Sequence, residues 1–211
     1  MKKIIWQLLN ALRIGAPIQL AIAGYLRDKG WMQSFYSKRS VDAAGKPLPW
    51  LTYPLIDFLT ARLHKSMLVF EFGAGNSTHW FAERVDRVHA VEHEEEWVKI
   101  LYKQGLSANA QLHLRALNDG YASIVSELSI EFDVILIDGR MRNACTKHAI
   151  KALKPAGIVL FDNSDRDDYK EAYALLTENG FKRIDFWGIS PITPITSCTS
   201  VFYRENNVLG I

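Results

Sequence analysis

Four short apolar runs organise the central part of this chain: Met67–Phe72, Val88–Glu92, Phe132–Asp138 and Ile158–Asp162. Each has five to seven residues rich in β-branched and aromatic side chains, the composition and length of a buried strand. Each also ends in, or one residue past, a carboxylate: Glu71, Glu92, Asp138 and Asp162. Helical periodicity fills the gaps, through His79–Arg84, Glu94–Leu106, Tyr121–Leu128 and Asn143–Leu153. Strands alternating with helices of this length predict a parallel sheet covered on both faces. A ligand of such a sheet sits outside the carboxyl ends of the strands, where strand order reverses, which puts Glu71, Glu92, Asp138 and the pair Asp162-Asn163 in one crevice.

The first run breaks into Gly73-Ala74-Gly75, after which Asn76, Ser77 or Thr78 can cap a helix. Glycine tolerates positive φ there and lets a ligand lie against the backbone beside the free N–H groups of the helix. A dinucleotide fingerprint would place a third glycine at Thr78, and it is missing. Glu71 also sets a carboxylate where a pyrophosphate loop has none, so a cationic ligand suits the turn better. Glu92 lies 19 residues beyond Gly73, where a carboxylate can accept both hydroxyls of a ribose.

Around this unit, Trp50 to Leu63 reads as a helix with Thr52 as cap and Pro54 in its first turn. Gln111–Leu117 reads as a strand and Asp167–Asn179 as a helix ended by Gly180. The last two strands, Lys182–Trp187 and Ser200–Arg204, have no helix between them, so they are predicted to run antiparallel across a long loop, Gly188–Thr199. The turn-rich connector Asp42–Pro49 separates a helical extension, residues 1–49, from a domain over residues 50–211. In the extension Ile4, Ile5, Leu8, Leu9 and Leu12 share one helical face, and Gln7, Asn10 and Arg13 interrupt the run. That pattern predicts an amphipathic helix rather than a signal peptide or a membrane span. Its expected place is against its own domain or a partner subunit rather than on a membrane, with a homodimer formed through the N-terminal helices. Ile18–Leu26 is a second short apolar helix candidate.

Lys and Arg number 25 against 23 Asp and Glu, a formal charge of +2 that offers no broad attraction to nucleic acid. Cys145 and Cys198 have neither metal nor redox spacing, which suits a reduced, cytoplasmic protein. His89 and His93 are four apart but span a strand end, so the zinc spacing of a helix is not realised.

Taken in order, Glu71-Phe72-Gly73-Ala74-Gly75, Val91-Glu92, Phe132 to Asp138 and Leu153-Lys154-Pro155-Ala156-Gly157-Ile158-Val159-Leu160 resemble the motifs of the class I S-adenosylmethionine-dependent methyltransferases. The resemblance covers roughly residues 50 to 204. It implies an α/β fold, a doubly wound seven-stranded, mostly parallel sheet with an antiparallel last strand. It also implies that Glu71, Gly73, Ala74, Gly75, Asn76 and Ser77 hold the methionine part of S-adenosylmethionine, Glu92 and His93 its ribose side, and Asn118 or Asp119 its adenine.

Methyl transfer from a sulfonium asks mainly for in-line positioning, with a base where the nucleophile is a hydroxyl. Asp138 and Arg140 are the candidate catalytic residues beside the methyl group. Trp50, Thr52, Tyr53 and Arg142 are candidate contacts to a small-molecule acceptor, Arg142 through paired N–H donors. Asp138, Asp162 and Asn163 also resemble the oxygen-ligand set with which catechol-type and some sugar O-methyltransferases hold magnesium. Gly139-Arg140 departs from the catechol pattern, and a positive side chain there could replace the metal. O-methylation of a sugar, phenolic or similar hydroxyl is the expected reaction. A nicotinamide-dependent oxidoreductase and a non-catalytic binding protein are the rivals.

Overall fold

The computed structural model describes residues 2–211. Seven strands form one sheet: β1 (Leu68–Phe72), β2 (Arg87–Glu92), β3 (Ala110–Leu114), β4 (Phe132–Ile137), β5 (Leu153–Asp162), β6 (Lys182–Ser190) and β7 (Thr193–Tyr203). Their order is β3-β2-β1-β4-β5-β7-β6, with β7 antiparallel to both neighbours and the rest parallel. Strand order reverses between β1 and β4, so their carboxyl ends open a crevice.

Ten α-helices are described. They are α1 (Lys2–Ala11), α2 (Gly15–Ile22), α3 (Tyr25–Asp28), α4 (Trp31–Ser37), α5 (Tyr53–Thr60), α6 (Asn76–Ala82), α7 (Glu95–Lys103), α8 (Ile124–Glu127), α9 (Arg142–Ala152) and α10 (Lys170–Glu178). A short 3₁₀ turn, Asp167–Tyr169, leads into α10, so the helix expected from Asp167 is α-helical only from Lys170.

The continuous apolar runs exist because both sheet faces are covered. On one face Val69, Val134, Leu136, Ile158 and Leu160 pack with Leu55 and Leu59 of α5 and with Trp80 and Phe81 of α6. On the other, Phe70, Phe72, Ile135, Ile137, Val159 and Phe161 pack with Cys145 and Ala149 of α9 and with Leu176 of α10. Period-two alternation thus divides the buried apolar residues of β1, β4 and the second half of β5 between two cores.

Three local expectations change. Thr52 precedes α5 but makes no side-chain cap; its hydroxyl donates to the Phe186 carbonyl at 2.9 Å, tying the helix to β6. The cap of α6 is Gly75, whose N–H donates to Thr78 Oγ1 at 3.1 Å. The segment Gly188–Thr199 is not a loop. β6 and β7 continue through it and turn between Ser190 and Thr193. Pro194 is tolerated in β7 because β5 pairs only with Thr199–Phe202, leaving the earlier part of β7 without a neighbour on that side.

A histidine pair, buried at His89 and half-buried at His113, links β2 and β3. His89 Nδ1 and His113 Nε2 lie 3.1 Å apart with stacked rings, and His89 Nε2 has no partner. Burial, with help from His113 and Arg87, pushes the His89 pKa from 6.5 down to about 4. The folded protein therefore resists a proton that the unfolded chain accepts, and this stability is lost as pH falls from 6.5 towards 4. The Glu71 carboxyl, raised to about 7, acts in the opposite sense. The decisive measurement is thus the difference between the wild-type protein and His89→Phe. From pH 7 to pH 5 the wild type is expected to lose several degrees of Tm more than the variant, with about 1 kcal/mol corresponding to roughly 2–4 °C. Parallel curves would contradict the assignment.

Candidate active site

A cavity of about 630 Å³ opens at the carboxyl ends of β1, β2 and β4. Gly73, Ala74, Gly75, Asn76 and Ser77 form one wall, Glu92, His93 and Trp97 a second, and Tyr121, Asp138, Gly139 and Arg140 a third. Backbone bonds hold these ends together: Gly73 N–H donates to the Val91 carbonyl at 2.9 Å and Asp138 N–H to the Phe72 carbonyl at 3.1 Å. Gly73 has φ +96°, and a Cβ there would come within 3.0 Å of Gly139 Cα. A Cβ on Gly139 would lie 2.1 Å from the Tyr121 hydroxyl and 2.9 Å from the Phe72 carbonyl. The two glycines therefore let the ends of β1 and β4 approach closely enough to form one floor.

Glu92 is buried, and its Oε1 accepts the His93 and Glu94 N–H groups at 2.6 and 3.0 Å. That fixes the carboxylate and leaves Oε2 for a ligand. Trp97 Nε1 donates to the Ala74 carbonyl at 2.8 Å, locking α7 to the glycine turn. Asn76 Nδ2 donates to the Ser40 carbonyl at 2.7 Å, bringing Lys38, Arg39 and Ser40 over the mouth.

A second cavity, about 540 Å³, adjoins the first and shares Trp50, Asp138 and Arg142 with it. Its other walls are Asp162, Asn163, Asp165 and Arg166 after β5, and Ser190, Thr193, Ile195, Thr196 and Ser197 of the β6–β7 hairpin. Between the cavities stands the guanidinium of Arg142. It donates to Asp138 Oδ1 at 2.9 Å, to the Gly139 carbonyl at 3.0 Å and to the Asp162 carbonyl. Burial and the neighbouring Asp162 carboxylate push Asp138 well above the usual carboxylate range, with Arg142 opposing. Burial raises Asp162 as well, eased by Thr199, whose hydroxyl donates to Asp162 Oδ1 at 2.6 Å.

Residues 70–164 match the sequence model of a family described as a methyltransferase domain. Residues 70–164 are a methyltransferase domain, carried on the fold of the class I S-adenosylmethionine-dependent enzymes. No curated protein matches the methyltransferase in sequence. Among solved structures it is similar to the O-methyltransferase TomG from Streptomyces achromogenes, involved in tomaymycin synthesis and in complex with S-adenosylmethionine. That likeness has 18% identity, covers 90% of this chain and 94% of TomG, and has a TM-score of 0.58. Precorrin-6y C5,15-methyltransferase from Geobacter metallireducens is similar at 14% identity, over 72% of this chain and 87% of its own, with a TM-score of 0.58. SMU.1697c from Streptococcus mutans, in complex with S-adenosylhomocysteine, gives 14%, 72%, 99% and 0.53 for the same quantities. At these identities the likeness concerns the fold.

The residues of this methyltransferase fit its cofactor. The first cavity is of the size that encloses a molecule of that class, the glycine floor is bare of Cβ atoms, and Glu92 has a free oxygen. When bound, the cofactor supplies an electrophilic sulfonium methyl group.

Of the residues singled out from the sequence, Gly73, Ala74, Gly75, Asn76, Ser77, Glu92, His93, Asp138, Arg140, Arg142 and Trp50 line the first cavity. Glu71 does not. It lies fully buried beneath the turn, neither oxygen has a hydrogen-bond partner in good geometry, and burial pushes its carboxyl up to about 7. Only the Ser77 and Thr78 hydroxyls ease it. Asn118 and Asp119 are exposed and line neither cavity. Thr52 and Tyr53 are fully buried and line neither cavity, so an acceptor has no access to them. Lys38, Arg39, Trp97 and Tyr121 were missed: the first two lie in the extension, and the aromatic residues looked like ordinary core.

The expected magnesium set is only partly assembled. Asp138 and Asp162 do converge with Asn163 on the second cavity, but the Arg142 guanidinium donates to the Asp138 carboxylate and to the Asp162 main-chain carbonyl, and Asp162 Oδ1 is engaged by Thr199. Two of the oxygens a divalent ion would need, Asp138 Oδ1 and Asp162 Oδ1, already accept hydrogen bonds from the protein, which does not fit a metal. Arg142, the candidate acceptor contact, lines both cavities, and three of its five N–H donors are spent on Asp138, Gly139 and Asp162.

Proposed function

We propose that this methyltransferase methylates a hydroxyl group on a small, hydroxyl-rich molecule held in the second cavity. One observation carries the reading: Asp138 and Trp50 line both cavities, so a hydroxyl placed at the junction meets a carboxylate on the cofactor side. The wall of the second cavity is polar. Ser190, Thr193, Thr196, Ser197 and Asn163 offer donors and acceptors, and Ile195 is the one aliphatic side chain on it. Such a surface satisfies several hydroxyls at once and gives a flat apolar ring little to bury against. Trp50 supplies an aromatic face at the rim.

In this scheme Asp138 accepts the hydroxyl proton as the oxygen attacks, and its raised pKa favours that role over one of a spectator charge. Arg142 fixes the Asp138 side chain and balances the charge it acquires. Glu92 holds the ribose, Trp97 and the glycine turn set the cofactor's depth, and Lys38–Ser40 close the mouth as a cap from the extension. TomG, an O-methyltransferase, has the same fold.

The test is transfer of a labelled methyl group to a panel of sugars, polyols, phenols and amines, with S-adenosylhomocysteine and NAD binding followed by calorimetry. Hydroxylated acceptors are expected to turn over and amines are not. Thr196→Val is expected to raise the acceptor KM about tenfold, the cost of one unmade buried hydrogen bond, with S-adenosylhomocysteine affinity unchanged. Turnover confined to amines would overturn the O-methylation reading, and binding of NAD but not of S-adenosylhomocysteine would overturn the cofactor assignment.

A further inference from the structure

The first helix turns its apolar side away from the protein. Ile4, Ile5, Leu8 and Leu12 are each more than half exposed, whereas Trp6 and Leu9 are the half-buried side chains of α1. Leu20 and Ile22 extend the exposed apolar surface along α2. Eight of the seventeen large apolar side chains exposed on the described residues fall between residues 4 and 25. A local concentration of this kind marks an interaction surface.

Charge narrows the occupant. Residues 2–27 contain Lys2, Lys3, Arg13 and Arg27 and no Asp or Glu, while the rest of a chain of net charge +2 is net −2. A second copy laid on this face would bring four cations against four, whereas an anionic lipid surface gains from every one. No helix among the described residues is long and apolar enough to cross a membrane. The ten residues of α1 reach about 15 Å. Such a helix can lie in an interface but not span it.

We propose that the α1–α2 pair docks the enzyme on anionic membranes, with its apolar face at the headgroup–acyl boundary and Lys2, Lys3 and Arg13 among the headgroups. The link to the site is direct. Tyr25 and Lys29, which follow α2, both donate to Asp57 on α5. Trp31 Nε1 donates to the Thr193 carbonyl at 3.2 Å, in the hairpin that walls the second cavity. The anchor is thus fastened to the acceptor side of the enzyme.

The test is co-sedimentation of the full chain with vesicles of phosphatidylcholine, alone or with roughly one-third phosphatidylglycerol. Binding is expected to the anionic vesicles, weakening with salt. Lys2→Ala with Lys3→Ala is expected to lower the partition coefficient by on the order of twentyfold, from about fivefold for each cation. Leu8→Glu with Leu12→Glu is expected to abolish binding. Both positions are exposed, so circular dichroism and S-adenosylhomocysteine affinity should be unchanged and would reveal a folding defect. Failure to bind anionic vesicles, equal binding to phosphatidylcholine alone, or a solution dimer that the Leu8→Glu, Leu12→Glu variant splits into monomers would each overturn the proposal.

Discussion

Asp138→Asn is expected to lower kcat by about a hundredfold to ten-thousandfold, the range that general-base catalysis supplies, with little change in S-adenosylhomocysteine affinity. The substitution keeps the shape of the side chain, and the amide oxygen can still accept from Arg142, which reaches Asp138 Oδ1 at 2.9 Å in the wild type. What it removes is the capacity to take a proton at the junction of the two cavities. Equilibrium binding and single-turnover methyl transfer separate the effects. If kcat and affinity fell together, Asp138 would be shaping the cofactor pocket rather than receiving a proton.

The second large effect concerns stability. Arg142→Met is expected to cost about 1–3 kcal/mol of unfolding free energy, the usual penalty for leaving buried acceptors without their donor. Arg142 is 8% exposed, and its guanidinium joins Asp138, Gly139 and Asp162. Methionine can fill the channel left by the stem but donates nothing to those three acceptors. Denaturant unfolding of Arg142→Met, Arg142→Lys and wild type should place lysine between the other two, since it restores the charge but not the forked geometry. Full stability of the methionine variant would show that water replaces the guanidinium. The same arrangement predicts methyl transfer that is insensitive to EDTA in the wild type.

The strand ends were legible because a strand covered on both faces leaves an unbroken apolar run, and a strand end facing a polar ligand interrupts it with Glu92, Asp138 or Asp162. The antiparallel last pair followed from the missing helix. The hairpin between Gly188 and Thr199 was not legible, because Pro191, Pro194, Thr and Ser carry turn propensities that tertiary pairing overrides. Arg142 was equally opaque. An arginine opening a helix is ordinarily solvated, and only the fold shows that Met141, held at φ +53°, turns the chain so that the guanidinium points inward. Glu71 read as a cofactor contact because a carboxylate just before the glycine turn suits a cationic ligand; period-two alternation puts its side chain on the face of Val69, and it does not line the first cavity.

The continuous β6–β7 hairpin has a consequence for how this enzyme can change its acceptor. Its base is a ladder in which Lys182–Gly188 pair with Ser197–Tyr203, so lengthening or shortening that base by one residue would flip every side chain beyond the change to the opposite face, whereas the tip from Ser190 to Thr196 lies past a register shift. Replacing the outward atoms at Thr193, Ile195 or Ser197 leaves the ladder intact and touches nothing that faces the cofactor. Divergence among descendants of this chain should therefore run through single substitutions at the hairpin tip, with the length of its paired base held constant.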